Sequence, residues 1–423
     1  MRSSRRGRSA STRPRVLIIV QNLPVPFDRR VWLECQSLTA AGYDVTVICP
    51  RGESSRPYAV IDGIGIHTYP PYAPGGSAMG FVLEYAYSFL ATALLLLKAR
   101  RRGRFDVLQA CNPPDIFWPL ARLLRSLDGT QFVFDHHDLC PELYESRFPQ
   151  GSSFVHRALL LLERATFWAA DRVTSTNQSY ADVAIERGGM APETVTVVRT
   201  GPDPDRLRPI PPVITRRRGR DHLVAYIGVM GPQDGVDLAL YAAEVVVKKM
   251  GRRDISFTLM GTGDCYDSLV AECAARGLTD YVEFTGRVPD QTVAEVFSTA
   301  DVGLSPDPKN PLNDVSTMNK TMEYMAFGLP VVAFDLHETR VSAGDAARYA
   351  RPNDVHDFAR AIVDLVDDPD RRAQMGRRGR ERVETELAWS HQQTSYLAVF
   401  DDLVTDSRRR PVGVGNPSAD GGA

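Results

Sequence analysis

The sequence predicts an α/β protein made of two doubly wound halves facing a central cleft. Three observations lead there. Short β-branched runs alternate with longer amphipathic stretches along the chain, the pattern of parallel sheets joined by crossover helices. The alternation breaks once, at prolines 202, 204, 209, 211 and 212 followed by arginines at 216–218. A length of 423 residues also favours two cores over one.

The elements follow in order. The first half opens with a strand over 16–20 and a helix over 30–41 that Gly42 closes. Strands at 45–49, 106–109, 131–135, 172–175 and 195–197 complete it. The second half places strands at 223–227, 256–260, 282–285, 302–304 and 331–334. A helical pattern from about 355 to 404 is long enough to run back to the first half. The expected division is 14–205 for the first domain, 206–221 for the linker and 222–388 for the second domain. A returning helix follows at 389–406, and a basic arm at 1–13 and a tail at 407–423 are read as disordered. Ligands of such folds bind outside the carboxyl ends of the strands, so the cleft is the expected site.

Composition narrows the function. The chain carries 50 basic and 52 acidic residues, a net charge of −2, with 43% hydrophobic and 24% charged residues. This excludes wholesale disorder, a collagen-like chain and a globally basic nucleic-acid binder, so no nucleic-acid partner is expected. The six cysteines form no C-x-x-C pair and fall mostly in apolar runs, as buried free thiols in a reducing compartment do. Only five basic residues are lysines, at 98, 248, 249, 309 and 320. The stretch 81–97 is apolar but interrupted by Glu84, and a membrane span needs about 20 residues. It is either a buried core helix or an interfacial one. The second option rests on Lys98, Arg100, Arg101, Arg102 and Arg104, which follow it and could meet an anionic membrane surface.

Three segments carry candidate chemistry. In NDVSTMNKTMEYMAFGLP (313–330), Asp314, Ser316 and Thr317 are capping types, Met322, Met325 and Ala326 recur at helical spacing, and Gly328 ends the helix. The free amides of a helix start suit a phosphate. Lys320 sits in the first turn, where the dipole disfavours a cation unless an anion joins it. Glu323, one turn on, could accept two ribose hydroxyls; the alternative is a surface helix with an incidental Lys and Glu. In VFDHHDLCPE (133–142), alternation puts His136 and His137 on opposite faces, one for the core and one, beside Asp138, for the cleft. One metal ion could not hold both without a bend, so no metal site is expected. After the first strand, Asp28, Arg29 and Arg30 either hold an acidic ligand or cover the surface. Leu259-Met260-Gly261-Thr262-Gly263 imitates a dinucleotide fingerprint, but Tyr266 takes the place of its third glycine.

Together these residues resemble family 4 glycosyltransferases with the GT-B fold. NDVSTMNKTMEYMAFGLPVVAFD is similar to their donor-binding segment, and LPVPFDRRVWLE, QACNPPD, FDHHDLCPE, YIGVMGPQDGVD, LMGTGD and VEFTGRVP agree in order over about 14–400. The resemblance implies two Rossmann-like domains and transfer of a hexose-type sugar from a nucleoside-diphosphate donor, a UDP-sugar, with retention and without a bound metal or other cofactor. The implied acceptor is a glycan or lipid-linked hydroxyl in cell-surface glycan, exopolysaccharide or glycolipid assembly. The expected location is the cytoplasm, peripheral at the inner face of the plasma membrane. By the same resemblance Glu323 matches the ribose-binding glutamate, and Val315, Ser316, Thr317 and Asn319, with Lys320, match the turn facing the diphosphate. His137 matches the histidine beside the transferred sugar, Gly228 and Gly231 the glycine turn of the second domain, and Arg287 with Val288 the base-stacking place. Asp28, Arg29, Arg30 and Asp138 are assigned to the acceptor or phosphate side.

The sequence also departs from the family. Val315 stands where the first of its paired glutamates belongs, Pro24-Val25-Pro26 replaces a glycine pair, and Gln233 and Asp234 replace an Arg and a Lys. Two other readings share the frame: a nucleotide-sugar 2-epimerase and a non-catalytic nucleotide-sugar binder.

Overall fold

The computed structural model describes residues 13–53, 55–72 and 78–409, so most of the predicted basic arm and tail lies outside the described residues. The first half is an eight-stranded sheet formed by β1 (Arg15–Ile19), β2 (Asp44–Pro50), β3 (Tyr58–Ile61), β4 (Ile64–Tyr69), β5 (Val107–Cys111), β6 (Gln131–His136), β7 (Arg172–Ser175) and β8 (Val195–Val197), in the order β3-β4-β2-β1-β5-β6-β7-β8. Every pairing is parallel except β3 with β4. The second half contains β9 (His222–Ile227), β10 (Ile255–Met260), β11 (Val282–Gly286), β12 (Val302–Ser305), β13 (Val331–Phe334) and β14 (Ala347–Ala350), all parallel, in the order β11-β10-β9-β12-β13-β14. Strand order reverses beside β1 and β9, which leaves a crevice at the carboxyl ends of both sheets.

Three strands escaped the sequence reading. β3 and β4 form a hairpin about Asp62-Gly63, both at positive φ (50° and 82°), the geometry an Asp-Gly turn adopts. β14 is four residues at a sheet edge, too short to show a period.

Alternation sorts the first sheet's side chains into two cores. Val16, Ile18, Val45 and Val47 face one layer, and Leu17, Ile19, Leu108 and Phe134 the other. The helix Trp389–Arg409 comes from the second half and packs into the first of these layers through Trp389, Tyr396 and Phe400. Burying each such aromatic contributes about 2–3 kcal/mol, which ties the chain's end to the first sheet. The proline-bearing connection is itself pinned to the second half: Ile210 and Val213 amides donate to Ser298 Oγ and Thr299 Oγ1, and Arg216 pairs with Glu295.

Candidate active site

The site is built from loops that follow the strands. At the end of β6, Asp135 is fully buried and lies at the centre of a charged cluster. Arg30 donates to it twice, Nη2 to Oδ1 at 2.7 Å and Nε to Oδ2 at 3.2 Å, and Thr174 Oγ1 donates to Oδ1 at 3.0 Å. His137 Nδ1 lies 3.4 Å from the Asp135 Oδ2. Glu34 lies 3.1 Å from Arg30 Nε and accepts from Gln109 Nε2, and Gln109 in turn accepts from the Tyr396 hydroxyl of the returning helix.

These charges fix each other. Burial works against ionised Asp135, but Arg30 and His137 outweigh it and hold the carboxyl far below its usual range. Burial, helped by Asp135, pushes Glu34 up to about 8, so it is protonated at neutral pH. Burial also opposes the imidazolium of His137, yet Asp135 lifts it to about 9. Burial pushes Asp138 up to about 6, with His137 pulling the other way. His137 is thus a cation at neutral pH, and among the described residues no protein group takes its Nε2. Asn112 shapes this loop: its Oδ1 accepts from the His137 and Asp138 amides at 2.8 and 3.0 Å, and its Nδ2 donates to the Asp138 carbonyl. His136 faces the opposite way, enclosed by the rings of Phe134, Phe167 and Tyr180, and burial lowers its pKa to about 3. The split between a core histidine and a cleft histidine is therefore as alternation requires.

The arginine pair after β1 divides in the same way. Arg30, expected on the acceptor or phosphate side, is 5% exposed and committed to Asp135, Glu34 and the Val198 carbonyl. Its helix turns it into the sheet, so that assignment is corrected. Asp28 is also otherwise engaged: it caps the helix Arg29–Ala40, its Oδ1 accepting from the Val31 amide. Arg29 does reach the cleft, where it bridges the halves by donating to Glu323 Oε1 and Asp290 Oδ1, both at 2.9 Å. Among the described residues one trio of potential metal ligands, Glu34, Cys111 and Asp135, is close enough for an ion. The cation in contact with both of its carboxylates is Arg30.

Across the cleft, the segment after β12 forms two helices, Pro311–Val315 and Asn319–Ala326. The expected caps are corrected: Asp314 belongs to the first helix, and the second starts after Met318 with no side chain accepting from its first amides. That helix is seated by Tyr324, whose hydroxyl accepts from the Ile227 amide and donates to the Leu304 carbonyl. Gly303 permits the approach, since a Cβ there would lie 2.6 Å from the Tyr324 ring. Lys320 points to the Gly228 turn: a Cβ on Gly228 would sit 3.3 Å from its Cε. Its Nζ donates to Asp307, whose other oxygen accepts from Ser305 Oγ at 2.7 Å. Asp234, at the departure from the family pattern, accepts from the Gly231 amide at 2.9 Å, and burial raises its pKa to about 6. Glu323 is one turn beyond Lys320, and burial raises its pKa although Arg29 opposes the rise.

The 315–317 stretch meets the other half. Asn177 Nδ2 donates to the Val315 carbonyl and Thr317 Oγ1 at 2.9 and 3.0 Å, and the Tyr180 hydroxyl lies 2.8 Å from Ser316 Oγ. The Val315 side chain packs on the cluster of Leu139, Tyr180 and Leu312. This gives a physical reason for valine in place of glutamate: a carboxylate there would enter an apolar contact between the halves. Arg287 stacks 3.9 Å over Phe27 of the first half, and Val288 packs into the core behind it.

The glycine run after β10, set aside as a false fingerprint, proves structural to the site. A Cβ on Gly261, at φ +133°, would lie 1.9 Å from the Gly228 carbonyl oxygen, and one on Gly263 would lie 2.7 Å from the Met230 amide. The two glycines let the β9 and β10 turns close on each other beneath Lys320. Gly261→Ala is expected to lower stability by about 2 kcal/mol or more and to weaken nucleotide binding, read by denaturant midpoint and calorimetry. An unchanged midpoint would refute the close approach.

This architecture defines a two-domain GT-B glycosyltransferase, and comparison with known proteins agrees. Residues 28–201 match the family described as "Glycosyl transferase 4-like domain", and residues 221–368 match "Glycosyl transferases group 1". The 2-deoxystreptamine glucosyltransferase of Streptomyces kanamyceticus is 25% identical over 332 residues, covering 76% of this chain and 84% of that protein. Among solved structures, sucrose-phosphate synthase from Thermosynechococcus elongatus superposes with a TM-score of 0.73 at 16% identity, over 93% of this chain and all of the other. Anabaena Alr3699/HepE in complex with UDP and glucose gives 0.68 at 14% identity, over 92% of this chain and 100% of that one. The chain belongs to the family 4 glycosyltransferases.

Proposed function

We propose that this glycosyltransferase moves a hexosyl group from a UDP-sugar to an acceptor hydroxyl with retention of configuration, in glycan or glycolipid assembly. The observation that carries the proposal is the set of groups that the two halves bring to the strand-end loops bordering the cleft. The uncapped start of the helix Asn319–Ala326, Lys320 and Glu323 lie on one side, and cationic His137 on the other. The uncapped amides and Lys320 suit a diphosphate, and Glu323 suits a ribose diol. As the sugar–phosphate bond breaks, negative charge grows on the leaving diphosphate, and pre-placed donors stabilise that charge more than the ground state. The acceptor oxygen bonds to the anomeric carbon while its proton passes to the departing phosphate oxygen, so no enzymic carboxylate need act as nucleophile. Asp135 raises the His137 pKa and so favours the imidazolium, which suits His137 to donate from Nε2 to the sugar or the incoming hydroxyl rather than to act as a base. Lys320 and the helix amides would supply the positive charge that a metal otherwise brings, which supports a metal-independent reaction. A UDP-bound neighbour of the same fold supports the choice of base, and six unpaired cysteines suit the cytoplasm.

The test is proton NMR of the purified protein with α-linked UDP-hexoses, with and without a panel of glycan and lipid-linked acceptors. Expected is an α-linked product that forms only with acceptor and persists in chelator. A β-linked product would overturn retention, epimerised sugar without acceptor would overturn transfer, and loss of turnover in chelator would overturn metal independence.

A further inference from the structure

More than half of the exposed large apolar side chains among the described residues lie in one helical layer of the first half. The layer covers the sheet face formed by Leu17, Ile19, Leu108 and Phe134. Its main member is the helix Ala78–Arg100, apolar on both sides. Tyr87, Phe89, Leu95, Leu96 and Ala99 pack on the sheet. The opposite side presents Met79, Leu83, Leu90, Leu94 and Leu97, each 47–69% exposed. Those positions recur every three, four or seven residues, so they form one stripe about 27 Å long. A fully buried core helix, one of the two readings the sequence left open, is therefore excluded.

Two neighbours extend the stripe. Leu123 and Leu127 are half-exposed on the helix Trp118–Asp128, which Arg100 fastens to the first helix by donating to Asp128 at 2.7 and 2.8 Å. On the helix Ser153–Ala169, Phe154, Leu161 and Trp168 stand at seven-residue spacing, 63–78% exposed, and Arg122 stacks 4.5 Å over Trp168.

The charges of this layer point to its occupant. The three helices carry three acidic residues, Glu84, Asp128 and Glu163, and each is engaged with a neighbour: Gln21, Arg100 and Arg187 respectively. Their outer faces instead hold Lys98, Arg157 and Arg164, with Arg101 just beyond the first helix, and none of these has an ion-pair partner among the described residues. An apolar crest edged by cations, four of them without an ion-pair partner among the described residues, with a tryptophan at its margin, complements a bilayer whose headgroups are anionic. A second copy of the chain would bring like charge against like charge.

We propose that this three-helix layer docks the enzyme on an anionic membrane surface. The stripe enters the acyl boundary, and the lysine and arginines meet lipid phosphates. The helix lies along the surface rather than crossing it, because its inner side is already packed on the sheet. Docking of this kind would present the cleft to acceptors carried in the lipid.

The experiment is co-sedimentation of the full chain with sonicated vesicles of phosphatidylcholine alone or with 30 mol% phosphatidylglycerol as an arbitrary working composition, roughly matching anionic leaflets. Binding is expected only with the anionic lipid, weakening at least about tenfold between 0.05 and 0.5 M salt, roughly as screening predicts. Leu90→Glu/Leu94→Glu should abolish binding while far-ultraviolet circular dichroism, melting temperature and UDP affinity stay unchanged. Phe154→Ser should weaken binding on its own, and brominated lipid should quench tryptophan fluorescence in the parent protein. Equal binding to both vesicle types, no binding to either, or a concentration-dependent dimer that the double variant dissociates would each overturn the proposal.

Discussion

Asp135→Asn is expected to be the most damaging single substitution in the first half, lowering stability by about 3–5 kcal/mol. The reason lies in what it leaves behind. Arg30 stays buried with its main carboxylate partner gone, and burial still works against ionisation of Glu34, the other carboxyl in reach of the guanidinium. A deficit of that size lowers the melting temperature by about 10 °C in a domain of this length.

The same change alters the titration of His137. In the parent protein His137 has a raised pKa, so its stabilising contribution is complete below the ordinary imidazole value of about 6.5 and is lost as pH rises through about 9. Asp135 is shifted the other way, so its contribution is present above the ordinary carboxyl range of about 4 and is lost only in strong acid. The pair is therefore complete between about pH 4 and 6.5 and weakens from there towards 9. Without Asp135, burial and Arg30 lower the His137 pKa and only Asp138 still raises it, so less of the imidazole is cationic at pH 7.5. Turnover there should fall by up to about 10²–10³, the usual loss for one transition-state donor, and the alkaline limb of the pH–rate profile should move to lower pH. Thermal unfolding and a pH–rate series check both parts. An unmoved alkaline limb would remove His137 from the mechanism even if stability fell.

Lys320→Ala is expected to reduce turnover by about 10²–10³ with little change in acceptor affinity. A plain loss of activity is ambiguous here, because Lys320 and Asp307 are both buried and removing one strands the other. The double variant Lys320→Ala/Asp307→Asn removes both charges and should recover most of the lost stability. If Lys320 acts on the leaving diphosphate, turnover stays low in the double variant; recovered turnover would assign Lys320 a purely structural role. Glu323→Gln is the companion measurement. It should weaken UDP binding about 10–100-fold by isothermal titration, as loss of charged hydrogen bonds to a ribose diol predicts. Arg29 makes the sign informative: it donates to Glu323 in the present arrangement, so a glutamate serving only that bridge would leave nucleotide affinity unchanged.

Several parts of this protein were legible before folding was considered. The strand over 172–175 follows from a short run with β-branched residues, and the opposite facing of His136 and His137 from period-two alternation; both signals are local. The end of the 319–326 helix at Gly328 follows from a residue that adopts positive φ without strain, here 66°. The helix start was less legible. Ser316 and Thr317 have capping chemistry, but Tyr180 and Asn177 of the other half take their hydroxyls.

The arginine pair shows most clearly where sequence reading ends. Arg29 and Arg30 have the same chemistry and adjacent positions, and the sequence could offer both only as cations near a cleft. Successive helix residues point about 100° apart, so one reaches Glu323 across the cleft and the other enters the buried cluster around Asp135. What the sequence determined by itself was the two wound halves, eleven of their fourteen strands and the motifs at the strand ends, because these depend on periods and turn chemistry between near neighbours. Only the tertiary structure decided which groups meet across long separations: Arg30 with Asp135, Lys320 beside Gly228, and Tyr396 closing the network through Gln109. The cluster around Asp135 sets the protonation of His137 and Glu34, and burial and distance, which fix it, exist only once the chain has folded.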